Sequence, residues 1–436
     1  MIPASSATEA VSMLLYCSST CSVISCSNGV VIGSFRAAGP ARVSIINPPR
    51  MEWVNKLHDD RGSRSLSPMS RLRQLLEAGL RTDTSQHTHP RYPGAVALVM
   101  RNGELIEKAA VGDAVRYGPG PELLSPDERE AMTPDTVFDI ASLSKLFTAA
   151  TTLALSDEGL LTLDTPAASQ FPEWADDIRG EITVRHLLTH TSGLPAVRRL
   201  WEIPTQAQRV AAVLQAPLTH TPGSHFEYSC VGYIALGLFL ERLTGSRLPR
   251  LVEHAVLTPL GLADTSYRPH RGLVARTAAT EYQPYVGRGM VRGEVHDENN
   301  WALGGTAGNA GLFSTAHDLA RFGEMLRLGG EVDGARVLDP DTARAMITDQ
   351  LPSRLKPGYR HGLGPRIGDR SFMGSLAAHG AIGHTGFTGT SLVVTPSLGT
   401  VTILLTNRVH PSREWSEIST IRQQVADLTL TEAGRT

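Results

Sequence analysis

Two hairpins rich in apolar and β-branched residues, far apart in the chain, constrain its fold more than any other feature. Ala95–Met100 reads as a buried strand, Asn102-Gly103 as a tight hairpin turn and Glu104–Val111 as the returning strand. Near the C terminus, Leu392–Thr395, a turn over Pro396–Gly399 and Val401–Leu405 repeat the pattern. Between them, roughly residues 165–300 are helical segments and Pro/Gly-punctuated loops, such as Val184–Leu188 and Val231–Leu243. Leu72, Leu75, Leu76 and Leu80 recur at helical spacing ahead of the first hairpin, and a last helix is expected over about Ser416–Leu430. Strands at both ends with helices inserted between them predict an α+β fold, its sheet assembled from the two ends of the chain. There is no internal repeat and no heptad run.

Composition narrows the function classes. The 436 residues carry 41 basic and 43 acidic side chains, a formal charge of −2, which lacks the basic footprint of a nucleic-acid binder. Polybasic attraction to a membrane surface is equally unsupported. A run of 26 uncharged residues separates Glu9 from Arg36, but its serines argue against a lipid-spanning helix, and no basic region precedes it as in a signal peptide. Residues 1–68 are therefore expected to be a poorly structured leader or extension, with Met51 and Met69 as alternative starts. Cys17, Cys21 and Cys26 match neither a zinc-knuckle nor a disulfide spacing. A reducing, cytoplasmic setting is the expectation, with export as the alternative.

Several familiar motifs are missing, among them G-x-S-x-G, H-E-x-x-H, a P-loop and G-x-G-x-x-G. Gly362-Leu363-Gly364-Pro365 approaches a phosphate loop, but Pro365 has no N–H to offer. What is present is Ser142-Leu143-Ser144-Lys145, followed by an apolar, Ala-rich helix. A capping serine beside an exposed lysine is the bland reading of that tetrad. The chain has only four lysines, however, so few such pairs arise by accident. With Ser142 in the first helical turn, Lys145 lies one turn on along the same face. The helix N terminus favours negative charge near Ser142, and a buried lysine that loses its proton can act as a base.

Two further stretches complete the pattern: Phe226-Glu227-Tyr228-Ser229-Cys230 and Gly383-His384-Thr385-Gly386-Phe387. Together with Phe138–Lys145, and with Thr183–Pro195, Pro259–Thr265 and Gly308–Ser314, they resemble the serine β-lactamase and penicillin-binding-protein superfamily. The likeness is greatest to class C β-lactamases and their esterase relatives, and it spans roughly Met69–Leu430. It implies an antiparallel sheet of the five-stranded type flanked by helices, plus an all-helical lobe, within one catalytic domain over residues 69–435. The α/β lobe would comprise about 69–165 and 300–435, and the helical lobe about 166–299.

The resemblance implies Ser142 as nucleophile, Lys145 as the group that activates it and Tyr228 as the proton shuttle to the leaving group. The N–H groups of Ser142 and Phe387 would hold the oxyanion. Thr385, Gly386, Cys230 and His384 would contact substrate, His384 from the opposite cleft wall. Two departures bear on substrate: Cys230 stands where the family usually has Asn, and His384 where β-lactamases have Lys. A thiol is a weak amide partner, and a mostly neutral imidazole pairs poorly with a carboxylate. Both changes favour esters, D-amino-acid amides or other acyl donors over β-lactams.

The expected activity is that of a serine hydrolase working through an acyl-enzyme. The alternatives are an acyltransferase or peptide-cyclising thioesterase of the same fold, and a non-turnover penicillin-binding sensor. No cofactor and no metal are expected. The expected partner is a small ester, amide or acyl substrate, with no nucleic acid and no stable membrane insertion, the chain being a monomer or small homo-oligomer. His186 and His190 are expected to be framework residues, Asp297–Asn299 a turn and cap, and Trp201 and Trp301 buried packing.

Overall fold

Asn102 and Gly103 both take positive φ, 50° and 83°, the geometry that lets a two-residue turn follow the twist of its strands. The computed structural model, which describes residues 70–82, 89–175 and 177–433, places that turn beside the second hairpin: the Asn102 N–H donates to the Gly399 carbonyl at 2.7 Å. The N-terminal extension, with Cys17, Cys21, Cys26, Met51 and Met69, lies outside the described residues.

The main sheet comprises β1 (Gly94–Arg101), β2 (Glu104–Val115), β3 (Glu130–Ala131), β4 (Arg360–His361), β5 (Arg366–Ile367), β6 (Ile382–Thr385), β7 (Ser391–Thr395) and β8 (Thr400–Thr406). They form one antiparallel sheet in the order β3-β2-β1-β8-β7-β6-β5-β4. Five longer strands make its centre, and the three two-residue strands β3, β4 and β5 extend it at the edges. The halves join where β1 pairs with β8, from Ala95 opposite Thr406 to Arg101 opposite Thr400.

Five helices pack on the sheet or carry the site: α1 (Arg71–Gly79), α2 (Ser144–Asp157), α3 (Cys230–Thr244), α4 (Ala316–Arg327) and α5 (Ser419–Ala433). Side chains alternate along β1. Ala95, Ala97 and Val99 pack with Leu72 and Leu76 of α1 and Ile421 and Val425 of α5. Val96, Leu98 and Met100 join the main core on the opposite face, with Leu319 and Phe322 of α4. That two-sided cover explains why β1 is buried almost throughout. The last helix starts at Ser419, three residues later than its sequence pattern suggests, because Arg413–Trp415 form a separate short turn.

Helix α2 is buried from Ser144 to Leu155, so it runs through the interior with no solvent face. Its Thr148 hydroxyl donates to the Gly308 carbonyl at 2.9 Å. Gly308 in turn presses on the main chain of α3, where any side chain would collide with the Tyr233 carbonyl. This close approach carries the neighbouring Asn309 carbonyl to Lys145. Among the described residues no helix is long and apolar enough to cross a membrane.

Candidate active site

Ser142 sits in a short 3-10 turn, Ala141–Leu143, immediately ahead of α2 rather than in its first turn. Main-chain N–H groups at such a helical start have no intrahelical acceptor, which leaves the Ser142 N–H available. Ala141 has φ of +47°, a conformation that costs a non-glycine residue about 1–3 kcal/mol. The turn is held by Asp139, whose buried carboxylate accepts the Ala141 N–H at 2.8 Å and the His296 N–H at 2.6 Å. Burial raises the Asp139 carboxyl above its usual range, with the His296 N–H and imidazole opposing.

Lys145 is fully buried, and its ammonium finds three acceptors: Asn309 O at 2.9 Å, Ser142 Oγ at 3.0 Å and Cys230 Sγ at 3.6 Å. Burial works against its charge, but the anionic forms of Cys230 and Tyr228 outweigh it, and Lys145 is held above the ordinary lysine range. Its three hydrogens thus each have an acceptor within the site. Burial also holds the Cys230 thiol above its ordinary range, Lys145 pulling the other way.

Tyr228 precedes α3, whose first turn is capped by Ser229: the Gly232 N–H donates to Ser229 Oγ at 2.9 Å. His190, buried and at φ +59°, accepts the Ser229 N–H on Nδ1 at 3.0 Å, and its ring lies 4.5 Å from that of Tyr228. His190 is thus framework, but framework that sets the tyrosine. Lys145 Nζ stands 5.0 Å from the Tyr228 ring centroid.

The third stretch turns off β6. Thr388 donates to the Asp139 carbonyl at 2.7 Å and Thr390 to the Ile140 carbonyl at 3.1 Å, which ties this turn to the one carrying Ser142. Gly386 is required there, since a Cβ would run into the Ile140 carbonyl and the Thr390 hydroxyl. Among the described residues the Phe387 N–H has no acceptor, while its ring, 46% exposed, stacks on His296 at 5.5 Å. Ser142, Tyr228, Thr385, Gly386 and Phe387 share one cleft of about 330 Å³.

Two expected members stand elsewhere. His384 is buried, so it lies behind the cleft wall instead of lining it. Its Nδ1–H donates to the Thr385 carbonyl at 2.8 Å, and burial, reinforced by Arg366 and Lys145, holds the imidazole well below its usual range and hence neutral. Cys230 stands behind Lys145 and does not line the cleft. Asp297 caps a short helix, accepting the Asn300 N–H at 2.7 Å, and Asn299 accepts the Leu200 N–H at 2.8 Å. Trp201 and Trp301 are half-buried, and Arg288 covers the Trp301 ring at 4.9 Å.

The cleft also contains residues that sequence reasoning did not single out: Arg366, Arg408, Glu417, Ile418 and Arg422. Asp139 and Asn309 stand just behind it. Asp139 lies three residues before Ser142, within the stretch Phe138–Lys145. The arginines come from β5, the loop after β8 and α5, and no local pattern links them. Among the described residues no cluster of three or more His, Cys, Asp or Glu is placed to hold a metal.

A family model described as Beta-lactamase matches residues 72–427. The chain belongs to the β-lactamase family. It is 31% identical over 360 residues to a protein of Escherichia coli (strain K12) named "Putative D-alanyl-D-alanine carboxypeptidase", covering 75% of this chain and 81% of that one. It is 32% identical over 353 residues to a Bacillus subtilis (strain 168) "N-acetylmuramyl-L-alanine amidase", covering 73% and 78%. Among solved structures, EstCE1, "a hydrolase with promiscuous acyltransferase activity", superposes with a TM-score of 0.62 at 25% identity, covering 81% of this chain and 98% of that one. This β-lactamase-family chain is a serine hydrolase acting on small substrates, with the α+β β-lactamase/transpeptidase-like fold.

Proposed function

We propose that Ser142 is the nucleophile of this hydrolase and that Lys145 and Tyr228 manage its proton. The observation that carries the reading is the buried Lys145 ammonium, 3.0 Å from Ser142 Oγ and anchored at 2.9 Å on the Asn309 carbonyl. In this reading the pair reacts as a Lys145 ammonium and a Tyr228 phenolate, so that Lys145 acts by charge and Tyr228 moves the proton. Ser142 Oγ attacks the substrate carbonyl as its proton passes to the Tyr228 phenolate, which becomes the phenol. The N–H groups of Ser142 and Phe387 hold the resulting oxyanion. Collapse breaks the bond to the leaving group, which takes the proton from Tyr228. Water then attacks the acyl-enzyme by the same path in reverse and frees Ser142.

Esters and amides of small acyl groups are the substrate class, in line with the amidase and carboxypeptidase names of the relatives. A second reading, acyl transfer to an acceptor other than water, is supported by the EstCE1 likeness and by the exposed Phe387 ring, an apolar platform beside the acyl site. Hydrolysis of p-nitrophenyl acetate by wild type and Ser142→Ala, with mass analysis of quenched enzyme, tests both. An acetyl adduct and turnover that disappear in Ser142→Ala are expected. Equal turnover in the two proteins overturns the assignment. A burst without steady turnover points to a missing acceptor or to a slowly deacylating sensor.

A further inference from the structure

Among the described residues only two Phe, Tyr or Trp side chains are exposed, Phe387 at 46% and Tyr285 at 56%, and both lie against one guanidinium. Arg413 Cζ stands 5.2 Å from the Phe387 ring centroid and 5.5 Å from that of Tyr285. Their exposure is not looseness. Arg413 Nε donates to Glu281 at 2.8 Å, its Nη2 reaches Glu281, Glu298 and the Tyr285 hydroxyl, and that hydroxyl donates to Glu298 at 2.7 Å. Phe387 is held further by its stack on His296 and by Arg408, 4.7 Å from its centroid. A largely buried ion network therefore fixes both rings while leaving about half of each open to solvent.

Tyr285 belongs to a second cleft, of about 420 Å³, walled by Pro121, Tyr282, Pro284, Tyr285, Pro411 and Trp415. Trp415 is also fixed, stacked on His89 at 4.7 Å and edge-on to Tyr117 at 5.6 Å. Arg413 is the seam between the two clefts: it lines the second and covers Phe387, which lines the first. Of the charged groups in the second cleft, Glu281 and Arg413 are spent on each other, and the third, Glu414, is an exposed carboxylate. Flat ring faces and prolines beside a carboxylate suit a neutral ring and repel an anion. The proton path gives the direction. The leaving group faces Tyr228, which packs against His190, His384 and Arg366, and none of these lines the second cleft. The acyl side of the substrate is the side that runs across Phe387. We propose that the second cleft is a binding site for the far end of the acyl group, and that it takes a neutral aromatic ring carried on a flexible tail. This rests on the serine acyl-enzyme reading given above and names its substrate class, arylalkanoyl esters and amides.

The test uses p-nitrophenyl esters, which share one leaving group and differ only in the acyl part. Phenylalkanoates from 3-phenylpropanoate to 6-phenylhexanoate are each compared with the straight-chain alkanoate of equal carbon count. Wild type is expected to favour the phenyl ester in kcat/KM by about tenfold at the best tail length, the scale of one or two ring contacts. Tyr285→Ala is expected to bring that ratio close to one. Tyr285→Phe keeps the ring without the hydroxyl and is expected to keep most of the preference, which separates a lost ring from a disturbed ion network. A wild-type ratio near one at every length, or an unchanged ratio in Tyr285→Ala, overturns the assignment. If turnover depends on Ser142 but shows no ring preference, only the role of the second cleft falls. Equal turnover in Ser142→Ala overturns the acyl-enzyme reading, and the proposal falls with it.

Discussion

Asp139 offers the sharpest perturbation of the site, because its buried carboxylate holds the turn of one candidate oxyanion donor while its main-chain carbonyl ties in the turn of the other. Its two oxygens accept the N–H groups of Ala141 and His296, and its own carbonyl accepts Thr388 from the turn bearing Phe387. In Asp139→Ala both N–H groups lose their acceptor in the interior, at about 1–3 kcal/mol each, so a stability loss of about 2–6 kcal/mol is expected. Ala141 then has nothing to hold its φ of +47°, and relaxation of that residue moves the Ser142 N–H. Loss of one well-placed oxyanion donor lowers kcat by about 10²–10³. Asp139→Asn keeps one accepting oxygen but turns an NH₂ toward the other N–H, and is expected to fall between alanine and wild type in kcat. Its stability has a distinct pH signature. Burial raises the folded-state carboxyl, so wild type loses stability as pH rises from the unfolded-state value of about 3.9 to the raised folded value. Asp139→Asn has no such loss and should gain on wild type across that window. Urea melts over a pH series and burst kinetics with an activated ester measure both effects. Full kcat in Asp139→Asn, together with unchanged affinity for a boronic acid that mimics the tetrahedral state, would refute the reasoning.

Removing the ammonium in Lys145→Ala takes away the donor to Ser142 Oγ, and single-turnover acylation is expected to slow by about 10²–10⁴. Gly386→Ala forces a Cβ against the Ile140 carbonyl, so thermal melts should show a loss of about 1–3 kcal/mol, with acylation slowed as the two turns part. Burial alone would raise the Glu281 carboxyl, but bonds from His296 and Arg413 override it and hold it well below the usual range. Stability from this group is therefore complete above its unfolded value of about 4.3 and drains away as pH falls toward the depressed folded value. Glu281→Gln should flatten that acid limb in urea melts and cost about 3–5 kcal/mol near neutrality, because Arg413 loses a buried partner.

The parts of the molecule that were legible in the sequence are those whose physics is local. The Asn102-Gly103 turn, the alternation of β1 and the apolar run after Lys145 each state their structure within a few residues, and the pairing of the two hairpins follows from their shared need for a sheet. The convergence of Ser142, Lys145 and Tyr228 was legible through motif spacing, although the anchoring of the Lys145 ammonium was not. That anchoring rests on the Asn309 carbonyl, brought in by the contact of Gly308 with α3 across the fold. The arginines were illegible for the same reason. Arg366, Arg408 and Arg422 belong to three elements, and nothing in the text around any of them marks it as facing Ser142. Their convergence also explains how His384 can occupy its position. Buried beside Arg366 and Lys145, a lysine there would add a further cation to a wall that already holds several, whereas a neutral imidazole donating to Thr385 adds none. The third stretch and the arginine on β5 are then one electrostatic arrangement. A lysine installed at position 384 is expected to destabilise the fold unless Arg366 is neutralised in the same chain, and a double-mutant cycle of His384→Lys with Arg366→Met, read by urea melts, should give a coupling of about 0.5–3 kcal/mol in favour of the pair. Additive losses would mean that the two positions do not sense each other's charge.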